Sequence, residues 1–122
     1  MMKTYESKED YLETILLLSN KGNVRAIDIV NELKYSKPSV SIAMKKLKEE
    51  GLIEIINNNI TLTSNGLEIA SKIYERHEII ANALIALGVN KETALIDACK
   101  IEHDLSEESF NAIKNHLEKY YK

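Results

Sequence analysis

Apolar residues recur along this chain at spacings that predict six helices and two short β-prone stretches. Over 7–19, Tyr11, Leu12, Ile15, Leu16 and Leu18 form one apolar face of a first helix, with Ser7 as a candidate cap. A turn at Asn20-Lys21-Gly22-Asn23 precedes a second helix over 26–33, whose apolar residues are Ile27, Ile29, Val30 and Leu33. After the three-residue connection Lys34-Tyr35-Ser36, Pro38 opens a third helix at a position where its missing N–H costs little. Val40, Ala43, Met44 and Leu47 are that helix's core stripe, and Gly51 ends it. Two β-prone stretches, 52–56 and 60–63, are joined by Asn57-Asn58-Asn59, a hairpin signal because asparagine tolerates left-handed backbone. Thr63 or Ser64 caps a long helix to about residue 87, which Gly88 breaks; Asn90 and Ser106 cap the last two.

Three helices followed by a two-stranded wing is the order of a winged helix-turn-helix, so the fold class is mainly α. The tight connection ahead of the third helix would tilt it so that its N-terminal residues can enter a major groove. Those residues are Ser36, Lys37, Pro38, Ser39 and Ser41, with Lys45 and Lys46 a turn further on for phosphates. Arg25 and Asn58, at the hairpin tip, complete the candidate DNA-binding set.

Composition narrows the class. The 122 residues are 44% hydrophobic and 29% charged, with one proline, four glycines and one phenylalanine, which suits a helical globular chain rather than disorder or an all-β fold. No apolar run reaches the roughly 18 residues of a membrane span, and 1–6 lacks the apolar core of a secretory signal. A single cysteine cannot form an internal disulfide, so a cytoplasmic location is expected. The net charge of −3 speaks against a dedicated nucleic-acid binder, but its distribution does not. Residues 20–48 hold seven basic side chains against two acidic ones, a footprint for phosphate contact.

Near the end of the chain, Cys99, Glu102 and His103 form C-x-x-E-H. On a helix these offsets put a thiol, a carboxylate and an imidazole on one face, a donor set suited to a divalent transition metal. Asp10 and Glu13, at i, i+3 on the first helix, are a second such group; one ion holding both would tie distant parts of the chain together. Each has a plainer explanation: Asp10 as a helix-start acid, Glu13 as a solvated side chain, Cys99 as a buried apolar cysteine, and His77 as an exposed histidine. Neither H-E-x-x-H, C-x-x-C, a phosphate-binding glycine loop nor G-x-S-x-G occurs, so no enzyme or organic small-molecule substrate is expected.

The chain resembles the diphtheria toxin repressor family, in its shorter manganese-type branch, through S-K-E-D-Y-L-E-T-I at 7–15, K-P-S-V-S at 37–41, L-T-S-N-G at 62–66, R-H at 76–77 and C-K-I-E-H-D-L-S at 99–106. The resemblance implies a winged-helix DNA-binding domain over 1–70, then an all-helical metal-binding and dimerisation domain over 71–122. It leaves no residues for the SH3-like third domain of longer members. It also implies that Asp10, Glu13, His77, Glu102 and His103 are metal ligands. Cys99 stands where that branch commonly has glutamate and the iron-type branch has cysteine, whereas Asp10 stands where the iron type has methionine. Sulfur favours Fe(II) and later metals, while the carboxylates suit Mn(II), so the cofactor is expected to be Mn(II) or Fe(II). The site has enough carboxylates for two ions per protomer, with Glu102 the candidate bridge.

The implied function is a metal-dependent repressor of metal-uptake genes that binds a palindromic operator in double-stranded DNA as a homodimer. The alternative is a winged-helix DNA-binding protein without metal control. Ile79, Ile80, Ala83, Leu84, Leu87, Ile113, Leu117 and Tyr120 are the apolar positions expected to supply the dimer interface.

Overall fold

The computed structural model describes residues 4–120. They form α1 (Thr4–Ser19), α2 (Ala26–Leu33), α3 (Lys37–Glu49), β1 (Ile53–Ile56), β2 (Asn59–Leu62), α4 (Ser64–Ala86), α5 (Lys91–Ile101) and α6 (Glu107–Tyr120). The chain divides into two compact units, the first ending at Ser71 and the second beginning at Lys72. Among the described residues, no helix is long and apolar enough to cross a membrane.

In the first unit, the apolar stripes of α1, α2 and α3 meet the wing in one core that includes Leu12, Ile15, Ile29, Val40, Met44, Leu47 and Ile53. α1 begins at Thr4 rather than Ser7, so Ser7 lies inside the helix and is not its cap. The turn into α3 is built by two residues. Lys34 takes left-handed backbone (φ 62°) and its N–H donates to the Val30 carbonyl at 2.9 Å, closing α2. Ser36 is the N-cap of α3, its Oγ accepting from the Ser39 N–H at 3.2 Å, and Pro38 follows in the first turn.

The wing is an antiparallel pair in which Ile56 faces Asn59. Asn57 and Asn58 alone form the turn, both with positive φ (53° and 68°), and Asn59 belongs to β2. The Ile60 N–H donates to the Val24 carbonyl at 2.7 Å, tying the wing to the segment that leads into α2. Thr63 rather than Ser64 caps α4: its Oγ1 accepts from the Gly66 N–H at 3.2 Å and donates to the Gly51 carbonyl at 2.6 Å. A side chain at Gly66 would collide with the Leu52 carbonyl, so only glycine lets this helix start pack against the wing.

The second unit has a small core of Ile80, Ala81 and Ala98, with Leu84, Ile101 and Leu105 packed against it. Asn90 caps α5 by accepting from the Glu92 N–H at 2.9 Å, and Ser106 caps α6 by accepting from the Ser109 N–H at 3.1 Å. Ile80 and Leu84, expected on a dimer surface, belong to this internal core. Of the expected positions, Leu87 and Tyr120 are exposed, and Ile85, Leu95 and Ile96 add exposed apolar surface that was not expected.

Candidate metal centre and nucleic-acid interface

Two consecutive residues of α4 and the end of α5 build the polar centre of the second unit. α5 stops at Ile101, so of the C-x-x-E-H residues only Cys99 is inside the helix. Glu102 is its C-cap, still with helical backbone, and His103 follows in the turn. The expected single helical face is thus cut short, and the chain's exit from the helix aims the last two side chains.

Glu102 is the centre of the group, with only 1% of its side chain exposed. Its Oε2 lies 3.1 Å from His77 Nδ1, and its Oε1 lies 3.4 Å from His103 Nε2. The Cys99 sulfur is 3.7 Å from the same His77 nitrogen. A nitrogen, a sulfur and a carboxylate oxygen from α4, α5 and the α5 terminus therefore face one another. Bonding to the Cys99 sulfur, then to Glu102, raises the His77 pKa to about 10, against burial, which acts to lower it. The spot is lined by a soft sulfur, borderline imidazole nitrogens and a hard carboxylate. The donor set and its need for a positive charge fit a divalent cation. A histidine that ligates a metal must first give up such a proton.

Arg76, next to His77, was not singled out by sequence reasoning, although it belongs to the R-H pair at 76–77. Its guanidinium donates to the Glu102 carbonyl at 2.7 Å and the Leu105 carbonyl at 2.9 Å, satisfying backbone acceptors that the end of α5 leaves open. It also lies 5.1 Å over the Phe110 ring, within cation–π range. Arg76 and His77 thus grip the two ends of Glu102, one at the backbone and one at the carboxylate.

In the first unit, α1 carries Asp10, half-buried, and Glu13, which is only 8% exposed. Glu13 is therefore not the solvated side chain that its position alone suggested. Glu9, one turn before Glu13, is buried as well. Carboxylates are rarely buried without a purpose or a partner, and none of these three is unpartnered.

The candidate DNA-contacting residues of the first unit are all exposed. Arg25, Ser41, Lys45 and Asn58 line one concave surface between α3 and the wing, together with Lys48. Lys48 was not among the predicted contacts, though the basic segment contains it. Ser36, Lys37, Pro38, Ser39 and Lys46 occupy the N-terminal end and remaining exposed side of α3.

Two family models match the chain in succession. Residues 3–58 match the family described as iron dependent repressor, N-terminal DNA binding domain, and residues 63–121 match its metal binding and dimerisation domain. The transcriptional regulator MntR of Escherichia coli O6:H1 is 38% identical over 92% of this chain and 74% of its own length. The HTH-type regulator MntR of Bacillus subtilis is 38% identical over 90% of this chain and 79% of its own. Among solved structures, the manganese regulator SloR is similar with a TM-score of 0.79 and 29% identity, covering 91% of this chain. The chain spans about half (53%) of that structure's length. IdeR of T. acidophilum also has a TM-score of 0.79, at 26% identity, over 98% of this chain and 55% of its own length.

Proposed function

The chain belongs to the iron-dependent, or diphtheria toxin, repressor family, and from that premise we propose which residues carry its metal response and which read its DNA. It is a metal-dependent transcriptional repressor that binds DNA, not an enzyme. The ligand set we assign is Asp10, Glu13, His77, Cys99, Glu102 and His103. The observation that carries this reading is the buried Glu102 carboxylate, flanked by His77 and His103 with Cys99 alongside.

These residues would hold Mn(II) or Fe(II), whose positive charge would let several anionic groups occupy one place. Without that charge, carboxylates such as Asp10, Glu13 and Glu102 could not share one ion and would repel one another wherever they approach. Cys99 bears on selectivity, because its sulfur is softer than the carboxylate found there in manganese-type relatives. The carboxylates are numerous enough to hold two ions per protomer, and Glu102 would be the candidate residue to serve both.

On the DNA side, Ser36, Lys37, Pro38, Ser39 and Ser41 enter the major groove of a palindromic operator. Lys45, Lys46 and Arg25 hold phosphates, and Asn58 reaches from the wing. A homodimer formed through the second unit presents two such faces, one to each half-site. Its place of work is the cytoplasm, and the genes it represses are those of metal uptake. By fixing the spacing of the two recognition helices of the dimer, metal lowers the conformational cost of binding, so affinity for DNA depends on metal.

The test is operator binding by chelator-treated and Mn(II)-loaded protein. Chelation is expected to weaken binding at least about tenfold, and Asp10→Ala or His103→Ala to remove that dependence while leaving the protein folded. Equal affinity in both states refutes the assignment.

A further inference from the structure

On the recognition helix α3, beyond Pro38 in its first turn, one exposed side chain is neither polar nor charged. Ile42 is 70% exposed, more than any other large apolar residue of the first unit's described exposed set. A lone exposed isoleucine is ordinary; the position of this one is not. At 3.6 residues per turn, the buried stripe Val40, Met44 and Leu47 defines the inner side of α3. Ile42 stands opposite that stripe, at the middle of the exposed arc. Ser41 and Lys45 flank it on one side and Ser39 and Lys46 on the other, all exposed. A helix lying in a major groove sends the middle of its outer arc toward the base edges and its flanks toward the phosphate walls. The lysines are therefore placed for phosphates and Ile42 for bases.

The chemistry of the groove then narrows what Ile42 can recognise. Its side chain has no donor or acceptor, so the hydrogen-bonding edges of guanine, adenine and cytosine give it nothing to bind. The one apolar feature on the groove floor is the 5-methyl group of thymine. A β-branched residue is also a modest helix former, so intrinsic helix propensity does not explain its presence at a solvent-facing position.

We infer that Ile42 is a specificity-determining residue that reads thymine by packing on its 5-methyl group, an assignment that rests on the DNA-binding reading above. The same surface facing a protein partner would give no dependence on that methyl. The partner is thus defined chemically, as a thymine at a fixed place in each half-site.

The experiment uses the full chain, loaded with Mn(II), and a duplex selected by the wild-type protein from a randomised library. Each thymine of one half-site is then replaced singly by deoxyuridine, which lacks only the methyl group. Wild-type affinity should fall about fourfold at one or two positions, the value of one buried methyl group. Ile42→Ala, a change at an exposed site, should bind the parent duplex more weakly and lose sensitivity to deoxyuridine at those positions. Lys45→Ala should weaken binding to every duplex and keep that sensitivity. Wild-type affinity unchanged at all substituted positions overturns the inference, as does an Ile42→Ala variant that retains the full deoxyuridine effect. If the wild type selects no duplex at all, the DNA-binding assignment fails, and this inference with it.

Discussion

The two units put their chemistry together in opposite ways. On the DNA-facing unit, most of the contact residues are near neighbours on α3, between Ser36 and Lys46, and the helix alone sets their order. In the second unit, Glu102 meets His77 across 25 residues of sequence, and Arg76 reaches 29 residues ahead to the Leu105 carbonyl. A surface of the first kind can lose one side chain and keep the rest in place. A centre of the second kind depends on every element that holds Glu102. We therefore expect additive, modest effects on the DNA face and large, coupled effects at the metal centre.

The severest test of this contrast is Glu102→Gln, which keeps the volume of a buried residue and removes its charge. Metal affinity should fall by more than about a hundredfold, beyond the usual cost of losing a residue outside the coordination shell. Isothermal titration with Mn(II) measures this, and a change of only a few-fold would mean that Glu102 is structural. Gly66→Ala comes next and challenges the claim that the first unit's effects are mild. The new methyl group meets the Leu52 carbonyl, so thermal or urea unfolding should show a loss of about 1–3 kcal/mol. This cost falls on the scaffold and leaves the contact residues unaltered.

Arg76→Met is a smaller perturbation that sharpens the comparison. It keeps an apolar stem near Phe110 but removes both bonds to the Glu102 and Leu105 carbonyls. Mn(II) affinity should drop about tenfold, in the range for residues that orient ligands, and Arg76→Lys should recover part of it. An unchanged isotherm would show that the α5 terminus orients Glu102 unaided. The smallest effect is expected for Lys45→Ala. It should weaken binding to all DNA sequences alike and reduce the slope of log affinity against log salt by about 1 per monomer contact. A sequence-selective loss would instead place Lys45 on a base.

The helices were legible because each carries its own signal over a short span. α2 and the N-terminal starts of α4 and α5 could be read from capping residues and apolar spacing alone. The start of α1 was misjudged, because Ser7 looks like a cap whether or not the helix continues past it. The wing turn was placed one residue too long, since three consecutive asparagines tolerate left-handed backbone equally and the pairing of Ile56 with Asn59 decides which two adopt it. The donor residues of the second unit could be named, but their grouping could not. A straight helix through Glu102 and His103 was the simplest expectation, and the end of α5 at Ile101 replaced it with a turn. Arg76 gave little warning because its partners are backbone carbonyls, which leave no trace in side-chain patterns.

The sequence by itself determined the helical class, the wing, the basic recognition segment and the types of donor atom available for a metal. These follow from periodicity, capping and side-chain chemistry, which act within a few residues. Tertiary structure decided that Glu102 would be buried between two imidazoles, that Arg76 would hold its backbone, and that Gly66 must be glycine. Each of these depends on which distant groups exclude water or fill space around a residue, and that is settled only when separate elements pack.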